Sequence, residues 1–220
     1  HDLFASGASV QVLVADGSSV TDGTILAHIE GPADFVLGRE RVALNFLMAL
    51  SGTASLTRKF VEAIRGTNAT IVDTRKTLPG LRSLQKYAVR CGGGTNHRLG
   101  LYDAAMIKDK HIAASGSIGM AVQAIRASAP HTATIEVECE SEDQVDEAIA
   151  AGANIVMLDN MPPAEMERIV SARKGQVVFE ASGGVNLDTV RAIAESGVDL
   201  ISVGALTHSA PGLPIHLEVS

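Results

Sequence analysis

The chain has 220 residues, of which 46% are hydrophobic and 20% are charged, and its formal net charge is −7. This length and balance exclude a disordered chain or a fibre, and they provide enough apolar surface for one large domain and part of a second. The acidic charge and an aromatic content of only 3% argue against nucleic acid as a partner. Proteins that bind nucleic acid cluster cations on phosphates or stack bases on aromatic rings.

The sequence contains no signal for export or membrane insertion. No apolar run reaches the roughly 18 residues that span a bilayer, and the first residues lack the basic and apolar regions of a secretory signal. The two cysteines, Cys91 and Cys139, have neither a disulfide framework nor a metal-ligand spacing. We therefore expect reduced thiols in a cytoplasmic protein without a membrane partner.

The first part of the chain has the pattern of a small antiparallel sheet and a long helix. Residues 10–31 contain apolar strands punctuated by Asp16-Gly17 and Asp22-Gly23, which are typical of tight turns. Apolar residues at helical spacing then predict a helix over about 33–65, which Gly66 ends.

From residue 69 onward the pattern is that of alternating strands and helices. Ser141 with Gln144 resembles a capping box before one helix, and Asn186 is the predicted cap of another. Residues 151–158 match residues 196–203 in residue class, as in a repeated α/β unit. Short apolar runs predict six buried parallel strands, at 69–74, 104–109, 133–138, 154–159, 177–182 and 200–205.

Two folds accommodate six parallel strands with helices between them: a parallel α/β barrel and an open doubly wound sheet. We favour an incomplete TIM-like barrel of about six strands, because no strand is followed by the glycine-rich fingerprint of a dinucleotide-binding sheet. In either fold the ligand binds beside the carboxyl ends of the strands.

Polar residues and glycines follow the ends of these predicted strands in a definite order. Cations come after the early strands, carboxylates after the middle ones and glycines after the last two. Each residue alone has an ordinary structural explanation, such as a solvated strand edge or a helix cap, but the joint order is that of a ligand site. The candidates are Thr74, Arg75, Lys76, His97, Arg98, Lys108, Glu138, Asp159, Ser182, Gly183, Gly184, Gly204, Ala205 and His208.

The order of these residue types has a chemical meaning. Backbone N–H groups of glycine-rich loops bind phosphate at the end of a barrel. The two carboxylates, Glu138 and Asp159, suit ribose hydroxyls, Mg²⁺ or a developing positive charge. Arginine binds a carboxylate through two hydrogen bonds, and lysine acts as a point charge. The pattern indicates transfer from a phosphorylated, pyrophosphorylated sugar to an acidic acceptor.

Longer motifs resemble the quinolinate phosphoribosyltransferase family. The stretch 73–112 is the most specific of them, and the similarity extends from about residue 10 to the last residue. The segments that carry it are Glu40-Arg41, 45–47, 50–52, 73–112, 135–138, 157–160, 182–184 and 202–208.

The resemblance implies that quinolinate and phosphoribosyl pyrophosphate react to give nicotinate mononucleotide, pyrophosphate and CO₂, a step of de novo NAD biosynthesis. It implies a requirement for Mg²⁺, bound with phosphoribosyl pyrophosphate at Glu138 and Asp159. No organic cofactor is needed, because the pyridine nitrogen becomes cationic once it carries ribose and stabilises the carbanion that loss of CO₂ leaves.

The resemblance also implies roles on the acceptor side. Arg75, His97 and Arg98 would clamp the carboxylates of quinolinate, with Thr74 nearby. Arg41 would reach into the active site of a partner subunit, because the family forms its site across a homodimer. We expect a homodimer or a higher oligomer.

On the donor side, Lys76 and Lys108 would contact the phosphorylated substrate and the pyrophosphate leaving group. They form the catalytic set with Glu138 and Asp159. Glu136 is the less favoured alternative to Glu138, and strand alternation places both on one face. The 5′-phosphate pocket would be lined by Ser182, Gly183, Gly184, Gly204, Ala205 and His208.

The sequence departs from the family pattern in two ways. The family has roughly sixty more N-terminal residues, so we expect residues 1–40 to be part of an α/β sandwich domain and residues 41–220 to be the barrel, with a C-terminal strand returning to the sandwich. Lys110 stands where the family has asparagine before His111.

Three other functions remain open at this point. A relative on the same scaffold, of the molybdenum-locus type, would use another acidic acceptor, and a non-catalytic descendant would have lost activity. Residues 10–31 also resemble the turns of lipoyl or biotinyl carrier modules, but such modules need a lysine at a hairpin tip. No lysine precedes Lys59.

Overall fold

The computed structural model describes residues 3–219, and it begins with a small antiparallel sheet. Strands β1 (Ser9–Val12) and β2 (Ala27–Glu30) pair antiparallel. Gly17 and Gly23, in the turns between them, have φ of 81° and 77°, which only glycine adopts without strain. The antiparallel structure predicted for this part of the chain is confirmed.

Helix α1 (Ala33–Ala63) follows, close to the predicted bounds. Its second half packs on the rest of the molecule through Gly52, Thr53, Thr57 and Phe60, which are buried. Its first half carries exposed apolar side chains. The expected domain boundary after residue 40 falls inside this continuous helix.

The six strands predicted from residue 69 onward are confirmed, and all of them are parallel. Their order in the sheet is β3-β8-β7-β6-β5-β4, so β3 and β4 are the two edges. The strands are β3 (Thr70–Val72), β4 (Ala105–Ile107), β5 (Ile135–Cys139), β6 (Ile155–Asp159), β7 (Val178–Ser182) and β8 (Leu200–Ser202).

The segment around Thr95 pairs with the free edge of β3. Its N–H donates to the carbonyl of Ile71 at 2.9 Å, and its carbonyl accepts from the N–H of Asp73 at 3.2 Å. Among the described residues β3 and β4 do not pair with each other, so the sheet is an incomplete parallel α/β barrel. This is the fold that the sequence predicts.

Within residues 3–219 seven more helices follow α1, and most of them cover the outside of the barrel. Ser141 caps α5 by accepting the N–H of Gln144, whereas the side chain of Gln144 accepts the N–H of Glu140. The helices are α2 (Arg82–Cys91), α3 (Asp109–Ser115), α4 (Ile118–Ser128), α5 (Glu142–Ala150), α6 (Pro163–Ala172), α7 (Val190–Glu195) and α8 (Ala205–His208).

The prediction that Asn186 caps a helix was wrong. Its side chain accepts the N–H groups of Asp188 and Thr189, and it therefore caps a turn. Helix α7 begins later, at Val190. None of the described helices is both long and apolar enough to cross a membrane.

Strand alternation divides the sheet into two faces with opposite chemistry. Val137, Leu158, Phe179 and Ile201 belong to the apolar core between the sheet and the helices. The alternate positions face the interior of the barrel, and several of them are polar. They are Glu136, Glu138, Asp159, Glu180, Ser182 and Ser202.

The described C-terminal segment, 209–219, lies against α1. The N–H of Leu213 donates to the carbonyl of Met48 at 3.0 Å. A Cβ atom on Gly52 would lie 2.1 Å from the carbonyl oxygen of Pro211, so glycine permits this close approach. The expected C-terminal return strand does not form within 209–219, because the segment packs on the helix instead.

Replacement of Gly52 by alanine should therefore destabilise the protein, although alanine is the better helix former. We expect Gly52→Ala to lower the free energy of unfolding by about 1–3 kcal/mol, because the new methyl group overlaps Pro211. The measurement is urea denaturation.

The matched control is Gly38→Ala in the same helix, where no atom lies within 4 Å of the new Cβ. That variant should gain about 0.5–1 kcal/mol from helix propensity. Equal effects of the two substitutions would contradict the packing of 209–219 on α1.

Candidate active site

Three of the predicted cations line one cavity at the carboxyl ends of the strands. Arg75, Arg98 and Lys108 surround a space of about 550 Å³, and His111 lies beside them. The opposite wall is largely apolar and comes from β4 and α4. A cavity with cations on one side and apolar atoms on the other suits a flat ring that carries carboxylates.

The two arginines of this cavity lack a full set of protein partners. The Nε atom of Arg75 is buried and has no hydrogen-bond partner among the described residues. Arg98 donates to the carbonyl of Ala104 at 3.0 Å. Burial, together with the nearby charge of Arg75, lowers the pKa of Arg98. Two adjacent guanidinium groups with unused donors form a site for an anion.

The loop that carries Thr74, Arg75 and Lys76 is held at both ends. The hydroxyl of Thr74 accepts the N–H of Lys76 at 3.0 Å. Arg82 of α2 donates to the carbonyl of Arg75 at 3.3 Å, and Thr207 of α8 donates to the carbonyl of Lys76 at 2.7 Å. Contacts from two helices therefore fix the loop.

The predicted phosphate-binding residues form two neighbouring groups. A Cβ atom on Gly204 would lie 3.1 Å from Nε2 of His208 and 3.5 Å from Cδ of Lys76, so these residues meet before Ala205 begins α8. In the other group, Gly183 and Gly184 follow Ser182 with φ of 92° and 60°. Backbone turns of this kind present N–H groups to an anion.

The predicted carboxylates lie on adjacent strands and face the interior. Glu138 forms an ion pair with Lys108, the two side chains being 14% and 42% exposed. Asp159 accepts a hydrogen bond from Asn160 at 2.8 Å. Asn160 has a φ of 54°, which is strained backbone at the edge of the site.

Sequence analysis missed a buried network of charged and polar side chains around Asp73. Asp73 and Lys86 form an ion pair with both side chains at least 98% buried. The Asp73 carboxylate also accepts from the side chain of Asn96 at 2.6 Å and from the N–H of His97 at 2.9 Å. Lys86 lies on the inner face of α2 among apolar positions, and that break in the helical pattern was the available signal.

A second buried cluster contains His97 and two glutamates that face the barrel interior. Nε2 of His97 lies 3.1 Å from Glu136 and 3.5 Å from Glu180. Burial lowers the pKa of His97, but the two carboxylates outweigh this effect and raise the pKa to about 10. Burial also raises the pKa of Glu136. Both shifts favour an extra proton on the cluster at neutral pH. Because Nδ1 of His97 accepts the backbone N–H of Arg98 at 2.7 Å, that proton lies on a glutamate and not on Nδ1.

Two residues singled out in the sequence lie apart from these groups. Arg41 is on the exposed half of α1, with its side chain 69% exposed and its guanidinium 3.7 Å from Glu40. It does not line the cavity formed by Arg75 and Arg98. Lys110 is exposed at the start of α3.

Two family models match nearly all of the chain. They describe the N-terminal domain of quinolinate phosphoribosyl transferase, over residues 1–51, and its C-terminal domain, over residues 53–218. The chain belongs to the quinolinate phosphoribosyltransferase family. The two models meet within α1.

Named relatives of the chain agree with this family. A probable nicotinate-nucleotide pyrophosphorylase (carboxylating) of Bacillus subtilis is 48% identical over 93% of this chain and 71% of the relative. The nicotinate-nucleotide pyrophosphorylase of Mycobacterium leprae is 46% identical over 97% and 76%.

Solved structures of the family have the same fold. The nicotinate-nucleotide pyrophosphorylase of Francisella tularensis superimposes with a TM-score of 0.93 at 40% identity, over 96% of this chain and 76% of that chain. NadC of Streptococcus pyogenes gives 0.91 at 44% identity, over 96% and 75%. This chain therefore spans about three quarters of the length of these relatives.

The Asp73–Lys86 pair leads to a test of how the acceptor wall is held. Lys86→Met leaves the Asp73 carboxylate buried without its counter-charge, and we expect the free energy of unfolding to fall by about 3–5 kcal/mol. Urea denaturation measures the change.

The control is the double variant Asp73→Asn with Lys86→Met, which removes both charges. It should recover part of the lost stability, because no uncompensated ion remains buried. A single variant as stable as the parent would contradict the proposed importance of this pair.

Proposed function

We propose that the protein transfers the phosphoribosyl group of phosphoribosyl pyrophosphate to quinolinate, with decarboxylation to nicotinate mononucleotide, pyrophosphate and CO₂. This is the reaction of its family, and relatives at 40–48% identity carry the corresponding name. The reaction supplies a nucleotide for de novo NAD biosynthesis. The observation that carries the proposal is the cavity in which Arg75 and Arg98 present unused donors opposite an apolar wall.

The acceptor wall consists of Arg75 and Arg98. His97, which the sequence placed in the same clamp, does not line this cavity, and its ring contacts Glu136, Glu180 and the N–H of Arg98. Quinolinate is a planar dicarboxylate, and two guanidinium groups provide the paired donors that two carboxylates need. The apolar wall from β4 and α4 contacts the faces of the ring. Binding of the dianion also removes the repulsion between the two arginines.

The donor side contains the catalytic lysines and the phosphate groups of the site. Lys76 lies beside Gly204 and His208, where it contacts the phosphorylated sugar. Lys108 borders the acceptor cavity and contacts the leaving pyrophosphate. The 5′-phosphate is bound by the two backbone turns, which comprise Ser182, Gly183, Gly184, Gly204 and Ala205, together with His208.

Glu138 and Asp159 fit a Mg²⁺ ion that arrives with phosphoribosyl pyrophosphate. They are carboxylates on adjacent strands at the ligand end of the barrel, and hard oxygen ligands are those that Mg²⁺ prefers. When bound, the ion neutralises charge on the pyrophosphate group. The same two carboxylates face the ribose and stabilise the positive charge that develops on its anomeric carbon.

The residues of this chain act mainly by positioning and by charge. Arg75 and Arg98 orient the ring so that its nitrogen attacks the anomeric carbon as the bond to pyrophosphate breaks. The nitrogen is then cationic, and its charge stabilises the electron pair that stays on the adjacent ring carbon when CO₂ leaves. That carbon then takes a proton from water. Lys76 and Lys108 offset the negative charge of the phosphates throughout.

We also propose a homodimer in which Arg41 completes the partner's acceptor site. The exposed half of α1 carries the apolar side chains of Leu37, Val42 and Leu47, which are 52%, 49% and 41% exposed. Exposed apolar side chains on the helix that carries an exposed arginine are typical of a protein–protein interface. The two free thiols support a cytoplasmic location.

The reaction is tested by incubation with phosphoribosyl pyrophosphate, Mg²⁺ and either quinolinate or nicotinate. We expect pyrophosphate and CO₂ in equal amounts with quinolinate and no nucleotide with nicotinate, because nicotinate lacks the second carboxylate that the arginine pair recognises. Nucleotide formation from nicotinate alone would overturn the proposal.

Arg75→Ala provides the control for the position of the site. It should raise KM for quinolinate by on the order of tenfold or more, the usual loss when a charged hydrogen-bond donor is removed. KM for phosphoribosyl pyrophosphate should stay nearly constant. Unchanged constants for both substrates would show that the acceptor site lies elsewhere.

The shared site is tested by mixing two inactive variants, Arg41→Ala and Lys108→Ala. If each site takes Arg41 from the partner subunit, half of the sites in mixed dimers contain one intact set of residues, and about a quarter of the parental activity should return at equal mixing. The measurement is CO₂ release after co-refolding. No recovery in dimers shown to contain both variants would contradict the exchange of Arg41.

A further inference from the structure

Two carboxylates deep in the barrel have no role in the site described so far. Glu136 on β5 and Glu180 on β7 have side chains that are 2% and 1% exposed. Oε1 of Glu136 and both carboxylate oxygens of Glu180 lack hydrogen-bond partners among the described residues. Buried carboxylates without partners cost folding free energy, so their presence requires a compensating function or a proton.

Both carboxylates point at the imidazole of His97. Nε2 lies 3.1 Å from Oε2 of Glu136 and 3.5 Å from Oε2 of Glu180. The two glutamates come from strands on either side of β6, and His97 belongs to the segment that pairs with the free edge of β3. The contact therefore fixes this segment to the barrel interior.

The other ring nitrogen links this contact to the acceptor cavity. Nδ1 of His97 accepts the backbone N–H of Arg98 at 2.7 Å. A nitrogen that accepts an N–H carries no proton, so the imidazole proton is on Nε2 and points at the glutamates. The ring is thus fixed at both nitrogens, and it fixes the backbone of Arg98. The guanidinium of Arg98 lies with Arg75 in the acceptor cavity.

Two carboxylates and one imidazole are also a ligand set for a divalent metal. Coordination through Nε2 would move the imidazole proton to Nδ1. There it would meet the N–H of Arg98, a donor, at 2.7 Å. The hydrogen-bond geometry therefore favours a proton over a metal ion in this cluster.

We propose that Glu136 and Glu180 are positioning residues for His97: Glu136 holds its Nε2–H, Glu180 adds a second negative charge beside it, and together they place Arg98 for the second carboxylate of the acceptor. This inference rests on the proposed function, since quinolinate is the ligand that Arg98 would bind.

The kinetic test compares Glu136→Ala and Glu180→Ala with the isosteric variants Glu136→Gln and Glu180→Gln. We expect Glu136→Ala to raise KM for quinolinate by about tenfold, because the acceptor of the Nε2–H is lost, and Glu180→Ala to raise it by less, because only a neighbouring charge is lost. KM for phosphoribosyl pyrophosphate should change little. Glu136→Gln keeps an oxygen that accepts from Nε2, and it should restore KM for quinolinate to within about threefold of the parent.

Met157→Leu is the control for an interior substitution, since Met157 is buried on β6 in register with Glu138 and Glu180 and has no assigned role in the site. It should leave both KM values unchanged. An equal loss of kcat for all variants without a change in KM for quinolinate would overturn the positioning role. That result would leave the proposed function intact, whereas inactivity of the parent protein with quinolinate would overturn the function first.

A spectroscopic test does not depend on activity or on folding of the alanine variants. Nitrogen-15 spectra of the histidine rings should show His97 with its proton on Nε2 in the parent and in Glu136→Gln. His97→Gln assigns the signal. A proton on Nδ1, or a stoichiometric metal ion in the purified protein that is lost in Glu180→Gln, would overturn the inference.

Discussion

The carboxylate of Asp73 is the group on which the acceptor side of the site depends. It is fully buried at the end of β3, where it pairs with Lys86 of α2 and accepts the backbone N–H of His97. Arg75 follows it by two residues in the chain, and Arg98 follows His97. One buried charge therefore holds both segments that carry the guanidinium groups. Because the carboxylate and the lysine satisfy each other away from water, neither segment moves without leaving an ion unpaired.

The two faces of the parallel sheet have different roles: the outer face stabilises the fold, and the inner face carries the charged residues of the candidate site. The outer face packs apolar side chains against the helices and supplies the hydrophobic free energy of folding. The inner face carries charges that cost free energy when buried, and they persist where a partner offsets the cost. Glu138 has Lys108 as its partner, and Glu136 has His97. Near the open end, Asp159 keeps enough exposure to bind a charged ligand.

In the proposed homodimer, association of two chains completes the acceptor site. The guanidinium of Arg41 lies on the exposed half of α1, away from the cavity of its own chain, and the same half of the helix carries exposed apolar side chains. The buried half of the same helix is fixed to the barrel and to the segment 209–219. A rigid helix that is half packed and half exposed can carry a cation to a second subunit at a defined position. This arrangement couples activity to assembly in the proposed dimer.

The sequence determined the six parallel strands, the long helix and the strand-end residues, because period-two and helical patterns, turn glycines and caps are local signals. It did not determine the cap at Asn186, the path of 209–219, or the pairs Asp73–Lys86 and Glu136–His97. Those contacts join segments whose meeting depends on barrel curvature and strand register, which no local pattern encodes. Alternation placed Glu136 and Glu138 on one face. Only the tertiary structure separated them, because the segment that pairs with the free edge of β3 brings His97 to the deeper carboxylate and leaves the outer one to Lys108.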